Sequence, residues 1–269
     1  MIYIRGFSGD LAYRLGNEFV KETYGDPKRL LHQAWKQRKY GSRLHLSNLS
    51  NIFRVPRVTS IYSNGFKMEY IEGKNILEIM ENEPEKLEQI VDAILKLLNW
   101  EFSQSVKRPF RVKPFIKKLS PVCPKEFKAF LLQECKKLRF RLCDVGMTHG
   151  DLSCANMVFA DEKIYLVDFL RVFYRTPYQD VAKLYQECDL HWAMLMSDYS
   201  KENKNIKNGY DYLTWRLNQW VESNKVIDGC FVKIFRLMCL CRLFPYIPEG
   251  RDDMYSLIYK RCVDVIEEW

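Results

Sequence analysis

Three oxygen-bearing side chains lie within a short stretch of this chain and could together handle a metal-bound phosphate. Asp151 and Asn156 lie in the run THGDLSCAN, and Asp168 follows in VDF. Phosphoryl transfer needs one carboxylate to orient the attacking hydroxyl, and an amide oxygen and a second carboxylate to hold Mg²⁺ on the phosphates. Because Asn156 lies five residues after Asp151, one compact loop can present both. The spacing predicts Asp151 as the catalytic residue, with Asn156 and Asp168 as metal ligands.

Neighbouring residues are expected to position this set. The stretch Lys163–Val167 is predicted to be a short buried strand that delivers Asp168. His149 is expected to support the loop by holding backbone carbonyls in place. Asp180 is expected to cap a helix and to fix the loop through backbone N–H groups, rather than to act in catalysis.

The first seventy residues are predicted to form a small antiparallel sheet with one helix. Strands are expected over 1–7, over 12–24 with a turn at Gly16–Asn17, and over 55–61 and 65–71. Asp26 followed by Pro27 is typical of a helix start, so a basic helix is predicted over Lys28–Tyr40.

After a hinge at Glu72–Asn75 the pattern becomes helical. Helices are expected over 76–80, 84–102, 127–142, 180–196, 210–223, 229–244 and 252–267, with an exposed polar loop over 201–208. The fold class is therefore predicted to be α+β. A β-rich N-terminal lobe over 1–71 would precede a larger, mainly helical lobe over 72–269, which would carry the Asp151 loop.

The N-terminal lobe also offers groups for binding phosphate. The turn at Gly6–Gly9, which includes Ser8, could close over phosphates with its backbone N–H groups. Lys21 follows on a strand and faces away from Val20. A single lysine on a strand is only weak evidence for a phosphate-binding residue. The preceding turn at Gly6–Gly9 strengthens it.

Composition narrows the class of protein. The hydrophobic content of 47% and aromatic content of 14% in 269 residues can supply a packed core, which excludes general disorder. The net charge of +8 suggests affinity for anions, although its scattered Lys and Arg residues favour ordinary solvated helix faces. No nucleic-acid-binding motif accompanies this charge.

The cysteines and the apolar segments indicate a cytoplasmic protein. Nine cysteines without CxxC pairs are expected to be reduced and mostly buried. No signal-peptide pattern is visible at the start. Charges at Lys233, Arg236 and Arg242 interrupt the most apolar late stretch, so no membrane-spanning helix is expected there. Peripheral contact with the inner membrane stays open.

Taken together, the motifs resemble the aminoglycoside phosphotransferase and choline kinase-like family, whose fold is two-lobed and protein-kinase-like. The resemblance rests on HGDL with Asn156, VDF and YQDVA. It implies ATP and Mg²⁺ as cofactors, with catalytic and metal-binding roles for Asp151, Asn156 and Asp168. It also implies that Lys21 contacts the nucleotide phosphates. The backbone of Met68–Ile71, including Glu69 and Ile71, would receive the adenine.

Two departures from the family pattern concern the nucleotide site. The family usually has a glutamate on the N-lobe helix that pairs with the lysine, but this helix offers Gln33 and Gln37. The partner of Lys21 therefore stays open. Leu170 stands where a glycine often follows the metal-binding aspartate and its neighbour, which suggests a less mobile turn. Gly150 and the short interval from Asp168 to Asp180 argue against a protein kinase.

The acceptor is open among several classes. A small molecule such as an aminoglycoside, an amino alcohol or a sugar is expected. The positive net charge instead favours a sugar of lipopolysaccharide or of a capsule precursor at the inner membrane surface. A cationic acceptor would need an aromatic or acidic pocket. The candidate acids are Glu187, Asp189 and Asp198. The candidate aromatic residues, which are more often core, are Trp192, Tyr199, Tyr210, Tyr212, Trp215 and Trp220. A catalytically inactive nucleotide-binding scaffold is the alternative from another class. ATP or GTP preference and oligomeric state stay open.

Overall fold

The computed structural model describes residues 2–3, 10–119, 122–196 and 203–269. The chain divides into two compact units. One contains residues 1–79 and 149–171, and the other contains residues 80–148 and 172–269. The Asp151–Asp168 segment, which was expected in the larger lobe, thus clusters with the N-terminal residues. The predicted lobe boundary after residue 71 stays a prediction.

Strands and helices follow in this order. The strands are β1 Ile2–Tyr3, β2 Leu11–Leu15, β3 Glu18–Glu22, β4 Phe53–Arg54, β5 Val58–Tyr62, β6 Gly65–Glu69, β7 Lys74–Asn75, β8 Val106–Pro109, β9 Leu142–Val145, β10 Met157–Ala160 and β11 Lys163–Leu166. The helices are α1 Pro27–His45, α2 Ile76–Asn82, α3 Leu87–Ser103, α4 Val112–Lys118, α5 Lys125–Lys137, α6 Tyr178–Leu190, α7 Trp192–Leu195, α8 Lys204–Ser223, α9 Gly229–Cys241 and α10 Asp252–Glu267. Short 3₁₀ turns lie at Pro84–Lys86, Cys154–Asn156 and Phe244–Tyr246.

The first unit contains a five-stranded antiparallel sheet with strand order β1-β2-β3-β6-β5. Helix α1 packs on one face of this sheet, where Leu30 and Ala34 join a buried cluster with Val58, Phe66 and Met68. The predicted helix start is confirmed, because the Asp26 side chain accepts a hydrogen bond from the Lys28 amide at 3.0 Å. Burial of this apolar face fixes α1 against the strand that carries Lys21.

A second, four-stranded sheet in the same unit carries the candidate catalytic segment. Its strand order is β4-β11-β10-β7, in which β4 and β11 are parallel and the other pairs are antiparallel. The predicted strand before Asp168 is confirmed as β11. The sequence missed β4 and β7, because two-residue strands leave no alternating pattern to detect.

The second unit is mainly helical. Helix α9 is buried along most of its length and packs against α5, α6 and α10. The antiparallel pair of strands β8 and β9 is its only described sheet, and helices α4 and α5 lie between these strands in the chain. An ion pair with two short contacts, at 2.6 and 2.7 Å, joins Arg236 of α9 to Asp189 of α6. It fixes the relative position of these two helices in a low-dielectric setting.

Several predicted boundaries in this unit are wrong. The helix expected over 127–142 ends at Lys137, and residues 142–145 form β9 instead. The helix expected over 180–196 is broken at His191, which adopts a left-handed backbone (φ 49°). The polar stretch over 204–208 is the start of α8, capped by the Asn203 side chain, and not a loop. Residues 201–202 lie outside the described part of the chain. Tertiary packing decided these ends against local propensity.

The thiols behave as predicted. All nine cysteines are free, and eight of them are buried. Burial raises the pKa of the Cys135 and Cys143 thiols to about 12, so both stay protonated at neutral pH. Over the described ranges, every helix is too short or too polar to cross a bilayer.

Candidate functional site

The Asp151 loop is closed on itself by its own asparagine. The Asn156 side-chain amide donates to the Asp151 backbone oxygen at 2.8 Å and to its carboxylate Oδ2 at 3.1 Å. Gly150 permits the turn before Asp151, because its φ of 92° is a conformation that side chains with Cβ rarely adopt. Since Asn156 uses its nitrogen to hold Asp151, its amide oxygen is directed away from this contact.

His149 ties the Asp151 loop to the strand that leads to Asp168. Its Nε2 donates to the Val167 carbonyl at 2.8 Å, and its Nδ1 accepts from the Asp151 amide at 3.3 Å. The two contacts fix the tautomer with the proton on Nε2. His149 is fully buried and packs on the Phe169 ring, with centroids 4.2 Å apart. The geometry matches the predicted supporting role.

Asp168 lies directly beyond β11 in a left-handed conformation with φ 57°. A left-handed backbone costs conformational free energy in a residue other than glycine, and such outliers cluster at functional sites. The Lys21 ammonium is 2.7 Å from Asp168 Oδ1. Lys21 therefore has a carboxylate partner from the Asp168 turn, which answers the question left open by the missing helix glutamate.

Helix α1 contributes a second lysine, Lys36, which the sequence analysis did not identify. The Lys36 ammonium donates to the His149 carbonyl at 2.7 Å and to the Leu170 carbonyl at 2.5 Å. The Leu170 amide also donates to the His149 carbonyl at 3.3 Å. Lys36 thus joins the residue two before Asp151 to the residue two after Asp168. The only sequence signal was its place one turn after Gln33.

The donor set fits a hard divalent cation. Asp168 is part exposed and already pairs with a cation, the Lys21 ammonium. The Asn156 amide nitrogen is engaged, which leaves its oxygen as the outward donor. One carboxylate and one amide oxygen, with phosphates and water, are a set that Mg²⁺ accepts. A closed site made by protein groups alone is not found, because the described residues contain no cluster of three or more His, Cys, Asp or Glu suited to a metal.

The other predicted nucleotide contacts lie at the N-terminal sheet. Ser8 and Gly9 are outside the described residues. Glu69 ends β6, and its amide donates to the Arg57 carbonyl at 2.9 Å. The next amide, of Tyr70, donates to Asn17, whereas Ile71 makes no backbone hydrogen bond to any described residue. The adenine-binding role of Glu69 and Ile71 stays a prediction.

Asp180 does not cap α6 as expected. The helix begins at Tyr178, so Asp180 lies within its first turn, where it is fully buried. Its Oδ2 accepts from the Thr148 hydroxyl at 2.6 Å. Because Thr148 directly precedes His149, this carboxylate anchors the chain that enters the Asp151 loop.

The acids proposed for a cationic acceptor pocket have internal partners. Glu187 is buried and accepts from the Tyr210 hydroxyl at 2.6 Å and from the Ala193 amide at 2.7 Å. Asp189 pairs with Arg236. Tyr210 is itself fully buried. Glu187 and Tyr210 therefore belong to the core of the second unit, and for Tyr210 this agrees with the prediction that such aromatics are more often core. Asp198, the third candidate acid, lies outside the described residues.

Comparison with known proteins gives one family match and several fold matches. Residues 43–214 match the sequence model of the family described as "Phosphotransferase enzyme family" (APH). A search of curated protein sequences finds no significant match.

Three solved structures illustrate the fold likeness. A glucosamine kinase bound to glucosamine, ADP and inorganic phosphate has a TM-score of 0.62 at 11% identity, covering 99% of this chain and 82% of that one. A thermostable aminoglycoside phosphotransferase APH(4)-Ia with ADP and hygromycin B has a TM-score of 0.65 at 14% identity, covering 99% and 92%. The choline kinase LicA from Streptococcus pneumoniae has a TM-score of 0.58 at 16% identity, covering 99% and 92%. These likenesses confirm the predicted α+β, protein-kinase-like fold class.

Proposed function

Because this chain belongs to the phosphotransferase enzyme family, we propose that it transfers the terminal phosphoryl group of ATP to a hydroxyl of a small molecule. The observation that carries the proposal is the meeting of four groups within one compact unit. Lys21 contacts Asp168, and Asn156 contacts Asp151. His149 and Lys36 join the two pairs through the backbone.

Asp151 is the proposed catalytic residue. Its carboxylate would orient the acceptor hydroxyl and accept its proton as the new phosphate ester bond forms. Asn156 holds both the backbone and the carboxylate of Asp151, so it limits the rotation of the catalytic group. Such fixation lowers the entropic cost of reaching the reactive geometry.

Lys21 is the proposed phosphate contact, and Asn156 and Asp168 are the proposed ligands of Mg²⁺. Lys21 is a buried ammonium, and an ammonium in a low-dielectric site attracts phosphate oxygens strongly. When bound, Mg²⁺ would neutralise charge on the phosphates. The catalytic role of the protein is then positioning and electrostatic stabilisation, with no covalent enzyme intermediate.

The acceptor is proposed from what the three similar structures have in common. Glucosamine, hygromycin B and the substrate of a choline kinase all carry a hydroxyl together with an amine or ammonium group. An amine-bearing alcohol is therefore the first class to test. The net charge of +8 favours a second class, an anionic sugar such as a lipopolysaccharide or capsule precursor.

The direct experiment is an ATP-turnover screen against both classes of acceptor, with GTP in parallel. Asp151→Asn keeps the size of the side chain but cannot accept a proton, so turnover should fall by at least about a hundredfold. Nucleotide affinity should stay within about threefold of wild type, since Asp151 is not a proposed phosphate ligand. Lys39→Met, at an exposed position of α1, is the matched control.

The same screen separates the enzyme from an inactive nucleotide-binding scaffold. Nucleotide binding without turnover on any acceptor would favour the scaffold. Near-wild-type turnover by Asp151→Asn would refute the assignment of the catalytic residue.

A further inference from the structure

Helix α1 contains a buried glutamine whose polar atoms have no hydrogen-bond partner among the described residues. Gln33 has 1% of its surface exposed. Neither its side-chain nitrogen nor its side-chain oxygen makes a hydrogen bond to any described residue. Burying an amide without hydrogen bonds is costly, so such a group in a folded protein calls for an explanation.

The next glutamine on the helix shows what an ordinary structural role looks like. Gln37 is equally buried, but its side-chain nitrogen donates to the Pro56 carbonyl at 2.8 Å and contacts Met68 Sδ at 3.1 Å. Gln37 therefore holds α1 to Pro56, which precedes β5, and to Met68 of β6. Gln33 makes no comparable contact in the described structure.

The helical period places Gln33 between the face of α1 that packs on the sheet and the face that contacts the Asp168 turn. Leu30 and Gln37, three residues before and four residues after it, face the sheet. Lys36 and Tyr40, three and seven residues after Gln33, face the Asp168 turn. There the Lys36 ammonium donates to the Leu170 carbonyl, and the Tyr40 ring packs on Phe169. Residues at these spacings lie on adjoining strips of a helix. Gln33 thus lies at the corner where the sheet meets the turn.

Lys21 approaches the same corner from the sheet. It pairs with Phe66 across β3 and β6, and its neighbour Phe19 pairs with Met68. Phe66 and Met68 belong to the cluster that packs on α1, so Lys21 projects from the face of the sheet that α1 covers. Its ammonium then reaches Asp168, next to the segment held by Lys36 and Tyr40.

We propose that Gln33 is a positioning residue for Lys21, and that its side-chain oxygen accepts a hydrogen bond from the Lys21 ammonium whenever Lys21 releases the Asp168 carboxylate. This inference rests on the proposed function, in which Asp168 serves a metal-bound nucleotide. Lys21 is 7% exposed, so water cannot easily replace the lost partner. A neutral acceptor would hold the ammonium and leave its full charge for phosphate.

The test compares the free energy of folding with nucleotide affinity in purified full-length variants. Gln33→Met has a similar length but no polar atoms. Because it removes two buried polar atoms that no described residue hydrogen-bonds, its Tm should equal or exceed that of wild type. Its Kd for Mg·ATP and Mg·ADP should rise roughly tenfold, as expected for one lost hydrogen bond to a charged group. Gln33→Glu restores an acceptor and should return the Kd to within about threefold of wild type.

Gln37→Met is the matched control, and it should lower Tm while leaving the Kd unchanged because its contacts are structural. Wild-type Kd in Gln33→Met would overturn the proposal. The proposal would also be overturned if Gln33→Glu lost as much nucleotide affinity as Gln33→Met. A loss of the same size in Gln37→Met would overturn it as well. If wild-type protein binds neither ATP, ADP nor GTP, the proposed function fails and the inference fails with it.

Discussion

Lys36 offers the sharpest test of how this site is held together. Its ammonium bridges the carbonyls of His149 and Leu170, and these residues flank the Asp151 loop and the Asp168 turn. Lys36→Met keeps the length of the side chain but removes both hydrogen bonds. We expect the Asp151 loop and the Asp168 turn to lose their fixed separation, while the apolar packing of α1 persists.

The magnitude follows from the two contacts. Hydrogen bonds to a charged group contribute about 1.5–3 kcal/mol when buried. Lys36 is partly exposed, so we take about 1 kcal/mol for each bond and about 2 kcal/mol in all. If catalysis needs the bridged arrangement, its population falls by up to roughly 30-fold, and kcat should fall by up to that factor. Nucleotide affinity should change less, because Lys21 and Asp168 keep their own contact.

Two assays check this reasoning. Steady-state kinetics with an acceptor from the screen should show the loss in kcat rather than in the nucleotide KM. Amide hydrogen exchange should speed up over 149–171 without nucleotide present. Lys39→Met, with an exposed side chain on the same helix, should change neither quantity. Wild-type kcat and exchange in Lys36→Met would refute the role of the bridge, as would an equal loss in Lys39→Met.

Three further predictions concern separate features. Gly65→Ala would place its Cβ 2.3 Å from the Lys21 carbonyl oxygen, so β3 and β6 must separate. A thermal melt should show that the free energy of unfolding falls by about 1–3 kcal/mol. An unchanged Tm would contradict the close packing. Asn156→Ala should raise the Mg²⁺ concentration needed for nucleotide binding on the order of tenfold, and an unaltered Mg²⁺ titration would exclude it as a ligand. Burial lowers the pKa of His191, so the folded state resists protonation and stability should fall as pH drops below about 6.5. His191→Asn tolerates the left-handed backbone and should flatten stability between about pH 5 and 7; an identical pH profile in denaturant melts would argue against this origin.

The acceptor screen also tests which acidic residues could bind the amine of an acceptor. Glu187 and Asp189 are occupied by Tyr210 and Arg236, so neither is available to bind an amine. Turnover on amine-bearing alcohols would therefore point to other acids, whose side chains can be sought by substitution. Turnover confined to anionic sugars would instead agree with the positive net charge.

Local patterns were enough to predict those parts of the fold that short-range physics controls. The Asp26 cap with Pro27, the turn at Gly16 and the strand before Asp168 were all found from adjacent residues. Each depends on backbone preferences or hydrogen bonds within a few positions of the chain. The oxygen-bearing residues of one loop were found for the same reason, since five residues suffice to place Asp151 beside Asn156.

The sequence by itself determined which groups are available: an aspartate with an asparagine five residues later, a lysine on a strand, and a helix with glutamines in place of a glutamate. Only the tertiary structure decided how they are paired. Asp168 lies 147 positions after Lys21, and Lys36 reaches carbonyls more than a hundred positions away. No periodicity encodes such partners, because the packing of α1 and the sheets sets these distances. The same packing buried Gln33 without a hydrogen-bond partner in the part of the chain that the structure describes, a feature that no pattern of residue types could reveal.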